Sequence, residues 1–369
     1  MTARLVTSAA EVGRETWNGF ANPDGAAEPH PFTTYEFFAA LEESRSATAG
    51  TGWQPAHLLA DSGLVPMYLK SHSHGEYVFD HAWAEALERA GGDYYPKLQA
   101  AVPFTPVTGR RLLGDAQTLL RTAKAATAQI GASSLHITFL TREEWRAAGD
   151  AGYLLRTGQQ FHWENRGYRS FDEFLGELSS AKRKNLRKER AAVAAAGVTF
   201  DWLTGGDIRE AHWDRFFDFY MDTGGRKWGT PYLTREFFSR LGAGLAPQTL
   251  LVMAKLDGRY IAGALNLFGE GVLFGRNWGA NDYIPFLHFE TCYYQAIDFA
   301  IARGLKRVEA GAQGEHKLLR GYLPVETYSA HVIGHPGLRR AVDQFLAAER
   351  EVVAENIEEL ARHAPFRKA

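Results

Sequence analysis

A short segment late in the chain concentrates residue types that carry acid–base chemistry. Acyl transfer to an amine needs a base that takes a proton from the amine and donors that stabilise the tetrahedral oxyanion. Glu309, turned out of a predicted strand, and His316, which titrates near neutrality, are the candidate bases. The polar residues around them, predicted to bind substrate, are Gln313, Glu315, Lys317, Arg320 and Tyr322. The alternative is structural: Glu309 pairs with Arg307 or Lys317, and the glycines of the segment only shape a turn.

A helix predicted after Pro285 supplies a third candidate catalytic residue, His288. His288, Cys292 and Gln295 follow one another at three- and four-residue spacing, which places them on one helix face. A structural histidine with satisfied hydrogen bonds is the alternative interpretation. Cys292 is the single cysteine of the chain, and no activating pair adjoins it in sequence.

Residues 181–190 form a basic run of six cations and one acid. On a helix they make a positive face suited to the phosphates of a nucleotide cofactor, a tRNA or a phosphorylated substrate. A solvated helix face is the alternative. The residues predicted to contact donor phosphates are Lys182, Arg183 and Lys184. A second motif offers an arginine fork and an aromatic wall to an anionic or planar substrate group, and consists of Arg226, Lys227 and Trp228.

The first half of the chain contributes three predicted substrate-binding residues, His72, His74 and Phe104. The alternating histidines suit a strand that lines a cleft, and nearby acidic residues also invite a metal-site interpretation. Nothing else in the sequence supports a metal, so none is expected. If the two halves face one another, the residues that line an acceptor pocket are Tyr94, Tyr95, Lys97 and Phe104.

These candidates are predicted to lie on two related β-meanders about 200 residues apart in sequence. In the second meander Asp257-Gly258 joins two β-rich runs, and in the first meander Asp61-Ser62-Gly63 joins two such runs. An Asp-Gly turn between two β-rich runs is a strong signal for a hairpin. The predicted strands are 57–61, 64–69 and 76–79 in the first copy and 250–255, 260–266 and 272–275 in the second. Each meander leads through a helix to another strand, at 98–103 and 305–310.

Helical periodicity recurs between the predicted strands. The helix at 286–303 has an apolar stripe that includes Tyr293 and Ile297, and Gly304 ends it. The other predicted helices span 33–43, 82–90, 115–129, 143–148, 171–196 with a break near Ser179, 212–222, 234–241 and 336–362. Two more strands are predicted at 135–140 and 153–165.

The composition fits two folded domains, predicted at 1–166 and 167–369. Of 369 residues, 45% are hydrophobic and 13% aromatic, enough for two cores. The charges of the 41 basic and 43 acidic residues nearly cancel. This excludes a net positive charge that would attract the whole molecule to nucleic acid or to an anionic membrane. One cysteine excludes a disulfide framework and a multi-cysteine zinc site. The sequence has neither the apolar core of a signal peptide nor an apolar run long enough to span a membrane. We therefore expect a cytoplasmic protein without a membrane span.

The order of a β-meander, a helix and a strand resembles the GNAT acyltransferase fold, and two such units resemble the FemAB-type tandem arrangement. Short motifs are similar to a bacterial family of FemAB-like predicted N-acyltransferases. They are 31–38 (PFTTYEFF), 68–77 (YLKSHSHGEY), 102–109 (VPFTPVTG), 160–163 (QFHW), 226–229 (RKWG), 287–290 (LHFE) and 311–317 (GAQGEHK). The resemblance implies an α/β (α+β) fold of two tandem GNAT-like domains, each a mixed, mostly antiparallel sheet flanked by helices. It also implies that 1–166 is an acceptor-side wall and that 167–369 binds the donor and is catalytic.

One stretch partly matches the pyrophosphate loop of the wider acyltransferase pattern, in which backbone N–H groups before a helix hold phosphates. This sequence departs from the pattern at two positions. Asn281 stands where a small residue is usual, and Pro285 precedes the helix. The match implies an acyl-CoA donor and a cofactor-binding role for Arg276, Asn277, Trp278 and Gly279.

Together these features predict an N-acyltransferase that moves an acyl group from an acyl-CoA thioester to an amine of a small-molecule or peptidic acceptor. Two alternatives stay open. The FemAB resemblance permits an aminoacyl-tRNA donor, although no long helical-hairpin insertion of the sort those enzymes use is evident. The fold could also serve as a catalytically silent binding module that holds a ligand without consuming it.

Overall fold

The computed structural model describes residues 2–228, 231–311 and 314–367, without the side chains of Lys227, Trp228 and Glu315. The chain divides into two compact units. The first contains Met1–Gln159 and Glu326–Asn356, and the second contains Gln160–Val325 and Ile357–Ala369. The first unit is therefore discontinuous in sequence, whereas the sequence predicts two continuous domains that meet near Gly167.

The first unit begins with eight strands and six helices. The strands are β1 (Ala3–Val6), β2 (Trp53–Pro55), β3 (His57–Ala60), β4 (Gly63–Val65), β5 (Met67–Lys70), β6 (Lys97–Ala100), β7 (Leu113–Gly114) and β8 (Ser134–Leu140). The helices are α1 (Ala9–Val12), α2 (Arg14–Ala21), α3 (Tyr35–Glu43), α4 (His81–Arg89), α5 (Ala116–Gln129) and α6 (Arg142–Asp150).

The chain enters the second unit within a long strand and leaves it within another. The strands are β9 (Leu154–Glu164), β10 (Thr199–Thr204), β11 (Thr249–Leu256), β12 (Arg259–Gly269), β13 (Val272–Ala280), β14 (Arg307–Glu309) and β15 (Leu323–Ile333). The helices are α7 (Phe171–Glu177), α8 (Ser180–Ala195), α9 (Glu210–Trp228), α10 (Arg235–Leu245), α11 (Leu287–Phe289), α12 (Gln295–Arg303) and α13 (Pro336–Arg362). A π-helical turn, Glu290–Tyr294, joins α11 to α12, and a 3₁₀ helix spans Glu315–Arg320.

The first unit has a small antiparallel sheet with strand order β1-β3-β4-β7 and a larger one with order β15-β8-β6-β5-β2. In the larger sheet only the pairing of β6 with β8 is parallel among the described pairs. The second unit has strand order β10-β11-β12-β13-β14-β9, with β13 and β14 parallel and the other pairs antiparallel. The predicted α/β (α+β) fold class, with mostly antiparallel sheets flanked by helices, is confirmed.

The hairpin between β11 and β12 shows why the second meander forms. Asp257 and Gly258 both have positive φ, +48° and +77°, as a type I′ turn requires, and that turn matches the twist of the flanking strands. Apolar side chains from the meander and from α12 then meet in one core. Its members include Phe161, Trp163, Phe174, Leu250, Phe268, Leu273, Ile297, Ala300 and Val308.

The second meander, the helix break near Ser179 and the C-terminal helix, whose predicted ends match Pro336–Arg362, are confirmed. The strand predicted at 76–79 is wrong. Gly75 and Tyr77 have φ of +81° and +61°, which breaks an extended run, and the buried Glu76 turns its carboxylate toward Lys97. The strands with no counterpart among the predictions are β1, β2, β7, β10 and β15.

Candidate functional site

Two paired strands of the second unit carry polar side chains on one face. Antiparallel register places Glu309 of β14 opposite His162 of β9, and Arg307 opposite Glu164. Because side chains alternate along a strand, Gln160 shares the face of His162. Phe161 and Trp163 point to the other face and into the apolar core. A row of polar groups, Gln160, His162 and Glu309, is therefore buried inside the fold.

Glu309 is the most unusual member of this row. It is 2% exposed. Its Oε2 lies 3.8 Å from Nε2 of His162 and its Oε1 lies 3.1 Å from Nη2 of Arg307. The Arg307 contact is an ion pair, as the structural alternative expects, but within the described residues neither carboxylate oxygen has a hydrogen-bond partner of good geometry. Burial raises the pKa of Glu309 to about 7, although the charge of Arg307 opposes the rise. A carboxyl group poised near neutrality with open acceptor positions fits a general base.

Glu309 stands where β13 and β14 separate. Phe274 and Glu309 form the last pair of the parallel ladder, and β13 continues alone to Ala280. Gly275 lies directly beside this point, since a Cβ there would come 3.4 Å from the carbonyl oxygen of Glu309. The backbone of β13 therefore passes directly beside the backbone of Glu309.

The predicted phosphate loop at Arg276–Gly279 is wrong in conformation, because these residues belong to β13 and lie opposite β12. Leu265 pairs with Asn277 and Asn266 with Gly275, so Arg276 is the extra residue of a β-bulge. Bulges re-aim side chains, and the positive charge of Arg276 partly opposes the rise that burial causes in the pKa of Glu309. The cofactor-binding role assigned to Arg276, Asn277, Trp278 and Gly279 stays a prediction without the loop that suggested it.

The two predicted catalytic histidines lie in one aromatic cluster. Nε2 of His316 is 2.9 Å from the hydroxyl of Tyr293, on the π-helical turn. The ring centroid of His288 lies 5.4 Å from that of Tyr293 and 6.3 Å from that of His316. Trp278 adds a ring 5.2 Å from His288. Burial, with Arg320 and Lys317, lowers the pKa of His316, which favours its neutral imidazole.

Three predicted substrate-binding residues brace this cluster. Lys317, 3% exposed, donates from Nζ to the carbonyl of Gly311 at 3.0 Å, and burial lowers its pKa to about 8. Arg320 lies over the ring of Phe289 at 3.4 Å and donates to the carbonyl of His316. Tyr322 is buried and donates to the carbonyl of Tyr293 at 3.2 Å. Gln313 and the side chain of Glu315 lie outside the described residues.

The basic run lies on α8, as predicted. Arg187 pairs with Asp172, and Arg190 pairs with Glu290 and Asp298. The other cations of the run form no ion pair with any residue in the described ranges, and they are Lys182, Arg183, Lys184 and Lys188. Three of these stand in the first turns of the helix, where the helix dipole disfavours positive charge. A bound anion would relieve this repulsion.

Arg226 of α9 is engaged inside the second unit. Its guanidinium donates to the carboxylate of Asp222 and, at 2.8 Å, to the carbonyl of Ala280 at the end of β13. Its fork therefore braces the β13 terminus. The side chains of Lys227 and Trp228 lie outside the described part of the chain.

The first-unit candidates lie on a loop rather than on a strand. His72 is half-buried, with Nε2 3.0 Å from the carbonyl of Thr51, and His74 is exposed. Phe104 is buried against Trp53, with ring centroids 5.2 Å apart. In the described part of the chain, no group of three or more His, Cys, Asp or Glu side chains has the arrangement of a metal site.

A buried charge network holds this loop. Lys97 is fully buried and donates from Nζ to Ser73 at 2.7 Å, Glu76 at 2.8 Å and Asp80 at 2.5 Å. Burial lowers the pKa of the neighbouring Lys70 to about 7, with its amine 3.6 Å from the ring centroid of Trp53. The network fixes the loop that carries both predicted histidines.

Sequence reasoning did not single out His162, Gln160 or Tyr293 as site residues. For the first two a signal existed, because polar and apolar residues alternate from Gln160 to Glu164 as they do from Arg307 to Glu309. Tyr293 falls on the predicted apolar stripe, and only the tertiary contact with His316 distinguishes it.

The sequence profile of the FemAB-like family, described as peptidoglycan biosynthesis/recognition, matches residues 8–368. No curated protein matches the sequence. None of the described helices is long and apolar enough to cross a membrane.

Several solved structures are similar to this one. FemX is 12% identical with a TM-score of 0.57, over 93% of this chain and 100% of FemX. L-PGS from Bacillus licheniformis is 14% identical with a TM-score of 0.54, over 87% of this chain and 98% of L-PGS. These two likenesses concern the fold. A tandem GNAT protein from the clavulanic acid biosynthesis pathway is 8% identical with a TM-score of 0.47, over 91% and 99% of the two chains.

Proposed function

Since the chain belongs to the FemAB-like family, we propose that it is a transferase that moves an aminoacyl group from an aminoacyl-tRNA to an amine. The observation that carries the proposal is Glu309, a buried carboxyl group whose two oxygens have no hydrogen-bond donor among the described residues. Such a group is costly to maintain unless a ligand or a proton occupies it. An attacking amine supplies both.

In the proposed reaction Glu309 accepts the proton that the amine must lose. The amine nitrogen forms a bond to the ester carbonyl carbon of the donor, and the carbonyl oxygen takes the negative charge. Collapse of this intermediate breaks the bond to the ribose oxygen, which leaves as a hydroxyl group with the proton that Glu309 took from the amine. Its raised pKa lets Glu309 exchange a proton near neutral pH. His316, held by Tyr293, is the second candidate for the proton of the amine.

The basic helix supports a tRNA donor. Four cations of α8, listed above, form no ion pair within the described ranges, and phosphate backbones bind to such faces by releasing counterions. The chain as a whole is nearly neutral, so a local patch of this kind decides where a polyanion binds. The acyl-CoA donor has less support, because residues 276–279 continue strand β13 and do not open a helix.

For the acceptor we propose an amine of a peptide, of the kind found in peptidoglycan precursors. The family description supports this class. The predicted substrate-binding roles of Arg226, His72, His74 and Phe104 remain part of the proposal. A non-catalytic binding module has no specific support from the geometry of Glu309, since binding alone needs no buried ionisable group that lacks a hydrogen-bond donor among the described residues.

The test is a single-turnover transfer assay with total tRNA charged with labelled amino acids and a lysine-containing peptidoglycan-precursor peptide. Wild type should transfer label, and Glu309→Gln should lose roughly 100-fold or more of the rate while it still retains tRNA on a filter. Glu236→Gln, an exposed carboxylate on α10, is the matched control and should be unchanged. Full transfer by both Glu309→Gln and His316→Gln would end the assignment of the base.

The donor is tested separately by thermal unfolding with coenzyme A, acetyl-CoA and uncharged tRNA. A ligand at about 100 times its Kd adds roughly 2.7 kcal/mol to native-state stability, a clear upward shift. Stabilisation by tRNA alone supports the proposal. Stabilisation by coenzyme A and acetyl-CoA, to a degree that depends on the acyl group, would instead indicate an acyl-CoA donor.

A further inference from the structure

We infer that His162 is a positioning residue for Glu309, and that Gln160 fixes the tautomer in which His162 acts. The inference rests on the proposed role of Glu309 as the proton acceptor. It adds two side chains of strand β9 that do not themselves touch the reacting atoms.

The register of β9 and β14 sets the geometry. His162 and Glu309 are direct cross-strand partners, and their side chains lie on one buried face. Nε2 of His162 lies 3.8 Å from Oε2 of Glu309 and 3.3 Å from Oε1 of Gln160. An amide oxygen can only accept a hydrogen bond. The shared nitrogen therefore carries the hydrogen, and the N–H group stands between the amide oxygen and the carboxyl group.

His162 is uncharged in this position. Burial lowers its pKa to about 3, and the nearby positive charges of Arg307 and Lys317 act in the same direction. The lowered pKa of the ring and the raised pKa of Glu309 both disfavour transfer of the proton from the carboxyl group to the imidazole. It can only present a dipole, whose positive end favours the ionised form of Glu309.

The other charged groups around Glu309 come from three strands. Arg307 on the same strand and Arg276 on β13 favour the carboxylate, and Glu164 on β9 disfavours it. His162 adds a neutral N–H group, whose nitrogen lies 3.8 Å from Oε2 of Glu309. Loss of this N–H group removes part of the stabilisation that offsets the cost of burying the Glu309 carboxylate.

The experiment measures kcat/KM for the transfer reaction against pH. His162→Leu removes the imidazole N–H group. It should move the acidic limb of the pH–rate profile to higher pH by about one unit, because the carboxylate form of Glu309 becomes harder to form. His162→Gln keeps an N–H donor of similar reach and should restore most of the limb. His363→Gln, an exposed histidine of the second unit, is the control and should leave the profile unchanged.

A second variant protects the test against a folding defect in His162→Leu. Gln160→Leu leaves the imidazole in place but frees its tautomer, and should shift the limb in the same direction by a smaller amount. An unchanged limb in His162→Leu, or in Gln160→Leu where the former does not fold, overturns the inference and leaves only a structural role. Full activity of Glu309→Gln would instead remove Glu309 as the proton acceptor, and absence of transfer by wild type would remove the proposed function, whatever the His162 variants do.

Discussion

The hydroxyl of Tyr293 lies 2.9 Å from Nε2 of His316 and joins the π-helical turn to the 3₁₀ helix that follows β14. A π turn adds a residue to the helix and rotates the side chains that follow it, and such turns occur often at functional sites. Here the turn places a tyrosine of an otherwise apolar stripe against a titratable imidazole. The contact links the two predicted catalytic histidines, because His288 packs on the same ring.

Tyr293→Phe is expected to lower the transfer rate several-fold while the ring packing stays intact. The variant removes one hydrogen bond, so the free energy of unfolding should fall by about 1 kcal/mol. Single-turnover kinetics and urea unfolding measure the two effects. Tyr260→Phe, which removes a hydroxyl bonded to Asp201 at 2.8 Å, is the control and should affect stability alone. Equal rates in all three proteins contradict a role for the Tyr293–His316 contact.

The stability of the protein should report the ionisation of Glu309. Its pKa is about 7 in the folded state against an ordinary 4.5, so the folded protein binds more protons in this window than the unfolded chain. The contribution of this group is therefore full below pH 4.5 and falls as pH rises toward 7. Glu309→Gln should match wild type at low pH and exceed it above pH 7, by on the order of 1 to 3 kcal/mol.

Urea unfolding across the pH range measures this difference, with Glu236→Gln as the control that should parallel wild type. A constant offset between Glu309→Gln and wild type at every pH contradicts the raised pKa. The rate of transfer should rise through the same window, because only the ionised carboxyl group can accept a proton.

Removal of charge from α8 should weaken tRNA binding. The triple variant Lys182→Gln, Arg183→Gln, Lys184→Gln is expected to reduce the slope of log affinity against log salt by about 2, since each lost phosphate contact removes roughly 0.7 to 0.9. Filter binding at several salt concentrations gives the slope. A second triple variant, Arg240→Gln, Lys255→Gln, Arg362→Gln, removes the same charge elsewhere on the second unit. Equal slopes in the two triples would show that net charge, and not the helix, binds the tRNA.

Lys97→Met should destabilise the first unit strongly. The change leaves Glu76 and Asp80 buried without their shared cation, and loss of one partner of a buried ionic network costs about 3 to 5 kcal/mol. Urea unfolding measures the loss. Lys124→Met, at an exposed position of α5, is the control and should stay within about 0.5 kcal/mol of wild type. A small effect at Lys97 would mean that the network rearranges or admits water.

Local features of the fold could be predicted from the sequence because neighbouring residues determine them. Asp257-Gly258 specifies its own turn, and the stripe on α12 ends at Gly304, whose φ of +66° suits a helix terminus. The loop at 76–79 could not be predicted, because its conformation depends on a contact between Glu76 and Lys97, which lies on a strand 21 residues further along the chain. A residue pattern that suits a strand was overridden by a buried ion pair.

The candidate site was predictable to the extent that its residues lie in one segment. Glu309, His316 and Lys317 are close in sequence, and their chemistry was evident there. His162 was not, because only the register of two distant strands brings it beside Glu309. The extent of β13 was missed for a related reason: Arg276 sits in a bulge that continues the strand, and a bulge depends on its partner strand.

The discontinuous first unit sets the order in which the protein can be made. In its larger sheet β15 pairs with β8, and His331 meets His136 across 195 residues of sequence. A ribosome therefore releases nearly the whole second unit before the strand that completes the first sheet. Until then β8 presents an open edge, which is a template for pairing with other chains. A truncated protein that ends at the predicted boundary near residue 166 would keep that edge permanently, and intact chains escape it only when synthesis is almost finished.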